Sequence, residues 1–255
     1  MRGLLVWHGV LAVGYAEAGK LEAADAEIKK SEQYLKSFLA TSNDKGLRIQ
    51  TPAEVAAWRA RVDVLAGRKE KLDAHASALK QHVAAILARR AEIGQDAGIG
   101  PNGVLVGVYE AAYRVAIAQN DYAGAAGYAQ AQVQELSRGE KFSLADQSGI
   151  NSARTKLAVA LARSGKQYDA GNTVKPALAF YQLPAVLKSD AVQLKGEYAE
   201  ALLAAALAVP DKPAEKQALL AKALQTFDAM PAEVKALKSF ARVRAEIVRE
   251  HKSKP

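Results

Sequence analysis

The sequence predicts an all-α protein built of stacked antiparallel helical hairpins. Three observations predict it. The stretch Gly107 to Leu136 sets two Ala-rich runs of helical period on either side of Asn120-Asp121-Tyr122, the pattern of a helix pair joined by a short turn. Similar hairpins precede and follow it, as expected of an array in which each unit buries the face of its neighbour. Half of the residues are hydrophobic but only 6% are aromatic. The apolar material is therefore mostly Ala, Leu and Val, which suits close helix packing, because Ala is the best helix former and is depleted in strands.

The elements follow in order. Residues 4–18 form a first helix that ends at Gly19, and residues 21–40 form its partner, with Leu21, Ala24, Ile28 and Leu35 on the buried side. Tyr15 packs across this pair, and Gly19 supplies the positive φ that a helix end needs. Thr41 to Gly46 is a polar loop. Thr51-Pro52-Ala53-Glu54 reads as a capped helix start, with Thr51 as N-cap and Glu54 completing a capping box. From there Val55, Trp58, Val62, Leu65, Leu72, Leu79, Val83 and Ile86 recur at three-, four- and seven-residue steps. The segment 52–93 is thus one helix of about 60 Å or a pair broken near Gly67.

Gly94 to Gly103 is expected to be a loop and the boundary between an N-terminal part, 1–98, and a C-terminal array, 99–255, unless the two form one continuous domain. After the central hairpin come helices near 144–163 and 168–182 around Gly165, with Pro176 expected to kink the second or start a new one. Residues 190–209 and 214–230 form another pair, joined by Pro210-Asp211-Lys212-Pro213. A last helix, 232–251, carries Leu237, Phe240, Ala241, Ile247 and Val248 on one side and basic residues mainly on the other, as a capping helix should.

These residues resemble the tetratricopeptide-repeat family of helix-turn-helix units. Leu11, Ala12, Tyr15, Gly19, Leu21, Ala24 and Ile28 carry the resemblance in the first hairpin. Ala111, Ala112, Asn120, Tyr122, Ala125 and Ala129 carry it in the central one, and Ala158, Ala162, Tyr168 and Gly171 in the third. The resemblance implies a right-handed superhelical α-solenoid whose concave groove binds partner segments.

It further implies that the groove is lined by Val6, Gly9 and Val13, by Gly107, Glu110, Arg114 and Ile117, and by Ala153, Lys156, Ala160 and Arg163. The Asn positions with which some members of the family grip a peptide carboxylate are absent. Arg114, Lys156 and Arg163 remain available for an anionic group. The remaining small apolar lining leaves room for an apolar helix or a lipid-like molecule. The same residues equally serve close helix contact.

Charge and composition narrow the chemistry. The net charge is +8, from 35 Lys and Arg against 27 Asp and Glu, with basic residues clustered in Lys235, Lys238, Arg242, Arg244, Arg249, Lys252 and Lys254. No Arg/Gly tract or basic motif interleaved with aromatics accompanies them. They read as a solvated helix face, and nucleic acid is not an expected partner. The absence of cysteine excludes disulfides, thiol catalysis and Cys-ligated zinc. It leaves the compartment open between cytoplasm and periplasm. Residues 1–20 imitate a secretory signal, but His8 interrupts the apolar run and the segment continues into a hairpin, so a structural first helix is expected. No apolar run approaches the ~18 residues of a transmembrane helix.

Gly98, Gly100 and Gly103, with Asp121 further on, spell a dinucleotide fingerprint that lacks the preceding strand the motif requires. His75 and His82 stand about 10 Å apart by helical rise, too far for one small metal ion, and read as polar-face residues. The pairs Glu197/Glu200 and Glu22/Asp25 are expected on exposed faces, and Tyr109 and Tyr113 in the core. No catalytic residue, metal site or cofactor follows from this reading. Three functional expectations remain: a non-enzymatic scaffold for a protein or peptide segment, a carrier of a lipid or other apolar small molecule, and a structural subunit assembling through a coiled coil at 52–93.

Overall fold

Helical periodicity becomes helix almost throughout. The computed structural model describes residues 1–96, 101–138 and 143–253, and the side chains of these apart from 94–96 and 101–102. The helices are α1 (Arg2–Glu17), α2 (Leu21–Thr41), α3 (Lys45–Ala66), α4 (Leu72–Ala88), α5 (Arg90–Asp96), α6 (Pro101–Ala118), α7 (Tyr122–Leu136), α8 (Leu144–Arg163), α9 (Gln167–Tyr181), α10 (Pro184–Leu187), α11 (Val192–Leu207), α12 (Pro213–Asp228), α13 (Ala232–Lys235) and α14 (Lys238–Lys252). Among the described residues there is no strand, and no helix is long and apolar enough to cross a membrane.

The chain divides into two compact units, Met1–Asp121 and Tyr122–Pro255. The central hairpin therefore contributes α6 to the first unit and α7 to the second. Of the expected loop 94–103, residues 97–100 lie outside the described residues, as do Gly98 and Gly100 of the G-x-G-x-x-G stretch and the expected boundary near residue 98, while α5 and α6 carry helix into both ends of the loop.

Within the first unit α1 pairs with α2 and α3 with α4, and α3 packs against both arms of the α1–α2 pair. α6 in turn packs against both α3 and α4. The second unit follows the same rule. α7 packs on α8, α8 pairs with α9, α11 lies against both α8 and α9, and α12 pairs with α11 before α14 closes on α12. The larger core lies there, built from Ala158, Val174, Phe180, Tyr181, the α11 run Ala199 to Leu207, Leu220, Phe227 and Ile247. A second core, of Ala12, Val13, Ala16, Ala24, Ile28 and Val62, joins α1, α2 and α3.

One turn recurs four times. Gly19 (φ 76°), Gly67 (φ 73°), Asn120 (φ 60°) and Gly165 (φ 84°) each hold positive φ at a helix end. The N–H of the following residue reaches back five positions: Lys20 to Tyr15 (2.8 Å), Arg68 to Asp63 (3.0 Å), Asp121 to Ala116 (2.9 Å) and Lys166 to Leu161 (2.9 Å). This is the Schellman closure, which satisfies carbonyls that the end of a helix would leave bare. Counting five residues on from Gly19, Asn120 and Gly165 gives Ala24, Ala125 and Ala170, all fully buried, and nine gives Ile28, Ala129 and Val174. The register places Ala170, not Gly171, as the third small residue.

The 52–93 segment is a pair broken at Gly67, one of the two forms expected of it, with one 3-10 turn, Lys69–Lys71, before α4. Other boundaries differ from expectation, each for a local reason. The third helix starts seven residues earlier than the Thr51 signal, because the Asp44 side chain caps it by accepting from Leu47 N (2.8 Å). Thr51 is buried inside the helix and Pro52 is tolerated within it. Pro176 likewise sits inside α9, where the carbonyl it leaves without a donor belongs to exposed Asn172. The expected last helix is two: α13 ends and Leu237 becomes the N-cap residue of α14.

Candidate functional site

On α6, Gly107, Glu110, Arg114 and Ile117 share one face by spacing. It is the most open face of that helix: Gly107 is exposed, Arg114 and Ile117 are half-buried, and Glu110 is buried. The Arg114 Nε donates to Glu110 Oε1 at 2.7 Å. Burial and the charge of Arg114 both depress the basicity of Arg61 on α3, against the opposing pull of Glu110 and of Glu17 on α1. Three helices of the first unit thus bring Glu17, Arg61, Glu110 and Arg114 into one electrostatic neighbourhood. Arg61 and Glu17 were missed in the sequence, where the groove face was read only on α1, α6 and α8: Arg61 lies on α3, and Glu17 one turn beyond the last position read on α1.

The expected lining of α1 is placed differently. Val13 is buried among Ala12, Ala16, Ala24 and Ile28, and Val6 is half-buried. Gly9 lies under the Trp58 ring of α3, so that a Cβ there would fall inside the ring. This close approach turns the Val6–Val13 face toward α3. The face of α1 open to solvent is instead that of Leu4, Trp7 and Val10.

In the second unit Lys156 and Arg163 are both half-buried. Arg163 is engaged by α14, its Nη2 donating to Glu246 (2.6 Å) and Glu250 (2.8 Å), and Glu250 also accepts from Lys216 (2.9 Å). An arginine clamped by two carboxylates serves the docking of α14 before it serves a ligand.

Two buried carboxylates complete the inventory. Asp63, at the end of α3, has no exposed surface. It accepts from Arg68 Nη1 (2.6 Å) and lies 2.8 Å from His75 Nε2 on α4. Arg68 also binds Asp25 of α2 (2.8 Å), and Arg59 spans Glu32 (2.9 Å) and Asp25 (3.7 Å). Burial pushes the Asp63 carboxyl up, but the bonds from His75 and Arg68 outweigh it and hold the group at about 2. His75, expected on a polar face, is therefore part of a buried ion network.

Glu197, expected to be exposed, is the second correction. It is buried on α11 and accepts from Ser148 of α8 (2.7 Å), Tyr181 of α9 (3.1 Å) and Gln193 (2.8 Å). Burial and the neighbouring carboxylate push the Tyr181 phenol up, so it remains a donor. No local signal in the sequence marks Glu197, since its donors lie on three different segments. Tyr109 and Tyr113 are buried, as expected. Among the described residues no group of three His, Asp or Glu is placed to hold a metal ion.

Compared with known proteins, the chain matches no family model and no curated protein.

Proposed function

We propose that this chain is a non-enzymatic, tetratricopeptide-like helical-repeat scaffold that accepts a segment of a protein partner on the open face of α6. The reading rests on the mixed-charge cluster of Glu17, Arg61, Glu110 and Arg114, which three helices of one unit present together. The cluster leaves the buried Arg61 Nε without an acceptor. It suits a segment bearing charges of both signs, a carboxylate against Arg61 and Arg114 and an amine or guanidinium against Glu110 and Glu17. The packing rule supports the same reading: each hairpin's second helix lies against the next hairpin's first, as in helical-repeat binders.

The test is recovery of partners from the native host with the wild-type chain and with Arg61→Glu and Arg114→Glu, read by native mass spectrometry. The reading expects a co-purifying polypeptide that both variants lose while their helical content is unchanged. A polypeptide retained by both variants, or a bound lipid in its place, would overturn it.

A further inference from the structure

We infer that α1 carries a self-association surface, and that its occupant is α1 of a second copy of this chain. Large apolar side chains stand in solvent on one face: Leu4 is 50% exposed, Trp7 61% and Val10 54%. Gly3 and Gly14 lie on the same face and are also exposed. No charged residue interrupts it. An exposed, contiguous apolar patch of this kind marks an interaction site.

The spacing says what covers it. Gly3, Trp7, Val10 and Gly14 step by four, three and four residues, which is the seam of one helix laid against another. The series is also symmetric about the midpoint of Trp7 and Val10. In an antiparallel pair of α1 helices, Trp7 of one copy meets Val10 of the other, and Gly3 meets Gly14. Large lies against medium at the centre, and glycine against glycine at both ends lets the backbones close. Leu4 meets Leu11 on the flank, the one exposed and the other half-buried in the single chain. This is the self-complementarity that an isologous two-fold contact demands.

Charge argues against an anionic bilayer as occupant. The ionisable groups bordering the stripe are already paired within the chain, Arg2 with Glu54 and both His8 and Lys30 with Glu27. No basic rim is left to add to the apolar contact, as a membrane-surface helix requires.

Size sets the strength. The three large residues expose on the order of 330 Å² per chain, so a pair buries roughly 650 Å², below the ~1,200 Å² of stable dimers and within the range of transient ones. The association is therefore weak and concentration-dependent. It is independent of the groove reading, since Glu17, Arg61, Glu110 and Arg114 are not part of the seam.

Sedimentation of the full chain from about 1 μM to about 1 mM tests it, the range in which a contact of this size titrates. Wild type should shift from monomer to dimer, and Trp7→Glu, whose side chain is exposed and whose helical signal should be unchanged, should remain monomeric throughout. Register is tested by cysteine trapping, which the cysteine-free sequence permits. A mixture of Gly3→Cys and Gly14→Cys chains should cross-link under mild oxidation, whereas Gly3→Cys alone should not, its two sulfurs standing about 16 Å apart in the antiparallel pair. A wild type that is monomeric at every concentration overturns the proposal. So does equal cross-linking of Gly3→Cys with itself, or a dimer that Trp7→Glu leaves intact. Co-sedimentation with phosphatidylglycerol vesicles that Trp7→Glu abolishes would assign the stripe to lipid instead.

Discussion

Each unit buries a carboxylate among donors from neighbouring segments, Asp63 in the first and Glu197 in the second, and the two are held by opposite means. In the first, Asp63 faces a guanidinium and an imidazole and belongs to a chain of ion pairs that runs through Asp25 and Arg59 to Glu32. In the second, Glu197 faces a hydroxyl, a phenol and an amide. The difference follows from the surroundings. Asp63 sits at a helix end, where long cationic side chains arrive from the following turn. Glu197 sits mid-helix among alanines and leucines, where a solvated cation has no room but short neutral donors do. Charged partners bring pH dependence and a large cost of disruption; neutral donors bring geometry with little of either.

That contrast can be broken from both sides. Asp63→Ala removes the counter-charge of Arg68 and the hydrogen-bond partner of His75 and should destabilise the chain by about 3 kcal/mol, with faster hydrogen exchange confined to α2, α3 and α4. Glu197→Ala leaves Ser148 and Tyr181 as buried donors without an acceptor, and about 2 kcal/mol is expected by denaturant titration. The conservative pair sharpens the comparison. Glu197→Gln keeps an acceptor for both hydroxyls and should cost about 1 kcal/mol or less, while Asp63→Asn should cost visibly more, because the loss falls on charge rather than shape. Equal costs for the two amides would erase the distinction.

Acid titration makes the same comparison without mutation. The folded-state value of Asp63, about 2, lies below its ordinary 3.8. Its contribution is complete above about pH 4 and is lost as the pH falls toward 2. Asp25 and Glu27 are lowered too, by bonds from Arg68 and from Lys30 and His8, and reinforce that sign. Glu54 opposes it, since burial raises its carboxyl. Hydrogen exchange at pH 3 should therefore loosen the α3–α4 junction before α8 and α11, and protection lost in the reverse order would contradict the assignment. Two glycines test packing instead of charge. Gly9→Ala and Gly196→Ala press a methyl into the rings of Trp58 and Phe240, and each should lower stability by about 1–3 kcal/mol unless the ring shifts.

How much of this was legible depended on sequence distance. Gly19, Asn120 and Gly165 announce their turns locally, because positive φ and the five-back hydrogen bond involve only neighbours, and the buried Ala24 and Ala125 follow by counting. Thr51 misled because Thr-Pro-Ala-Glu is a valid cap in isolation. Asp44 satisfied the same need earlier and left Thr51 to be buried by packing. Glu197 was read as solvated from its own charge. Its burial depends on Ser148 and Tyr181, which donate to it from α8 and α9 and which no spacing along α11 announces. On α1 periodicity showed a helix but not its orientation, which the contact of Gly9 with Trp58 decides across fifty residues of chain.

The placement of the two tryptophans has a practical consequence. Trp7 stands in solvent and Trp58 lies against Gly9, and the sequence holds no others. Tryptophan emission is therefore an intrinsic two-channel reporter of the first unit alone, blind to the second. A soluble quencher reaches Trp7 and reads the outer face of α1, while the colour and lifetime of the sheltered Trp58 follow the seating of α1 on α3. Optical spectroscopy can thus follow the opening of one half of this chain without labelling either.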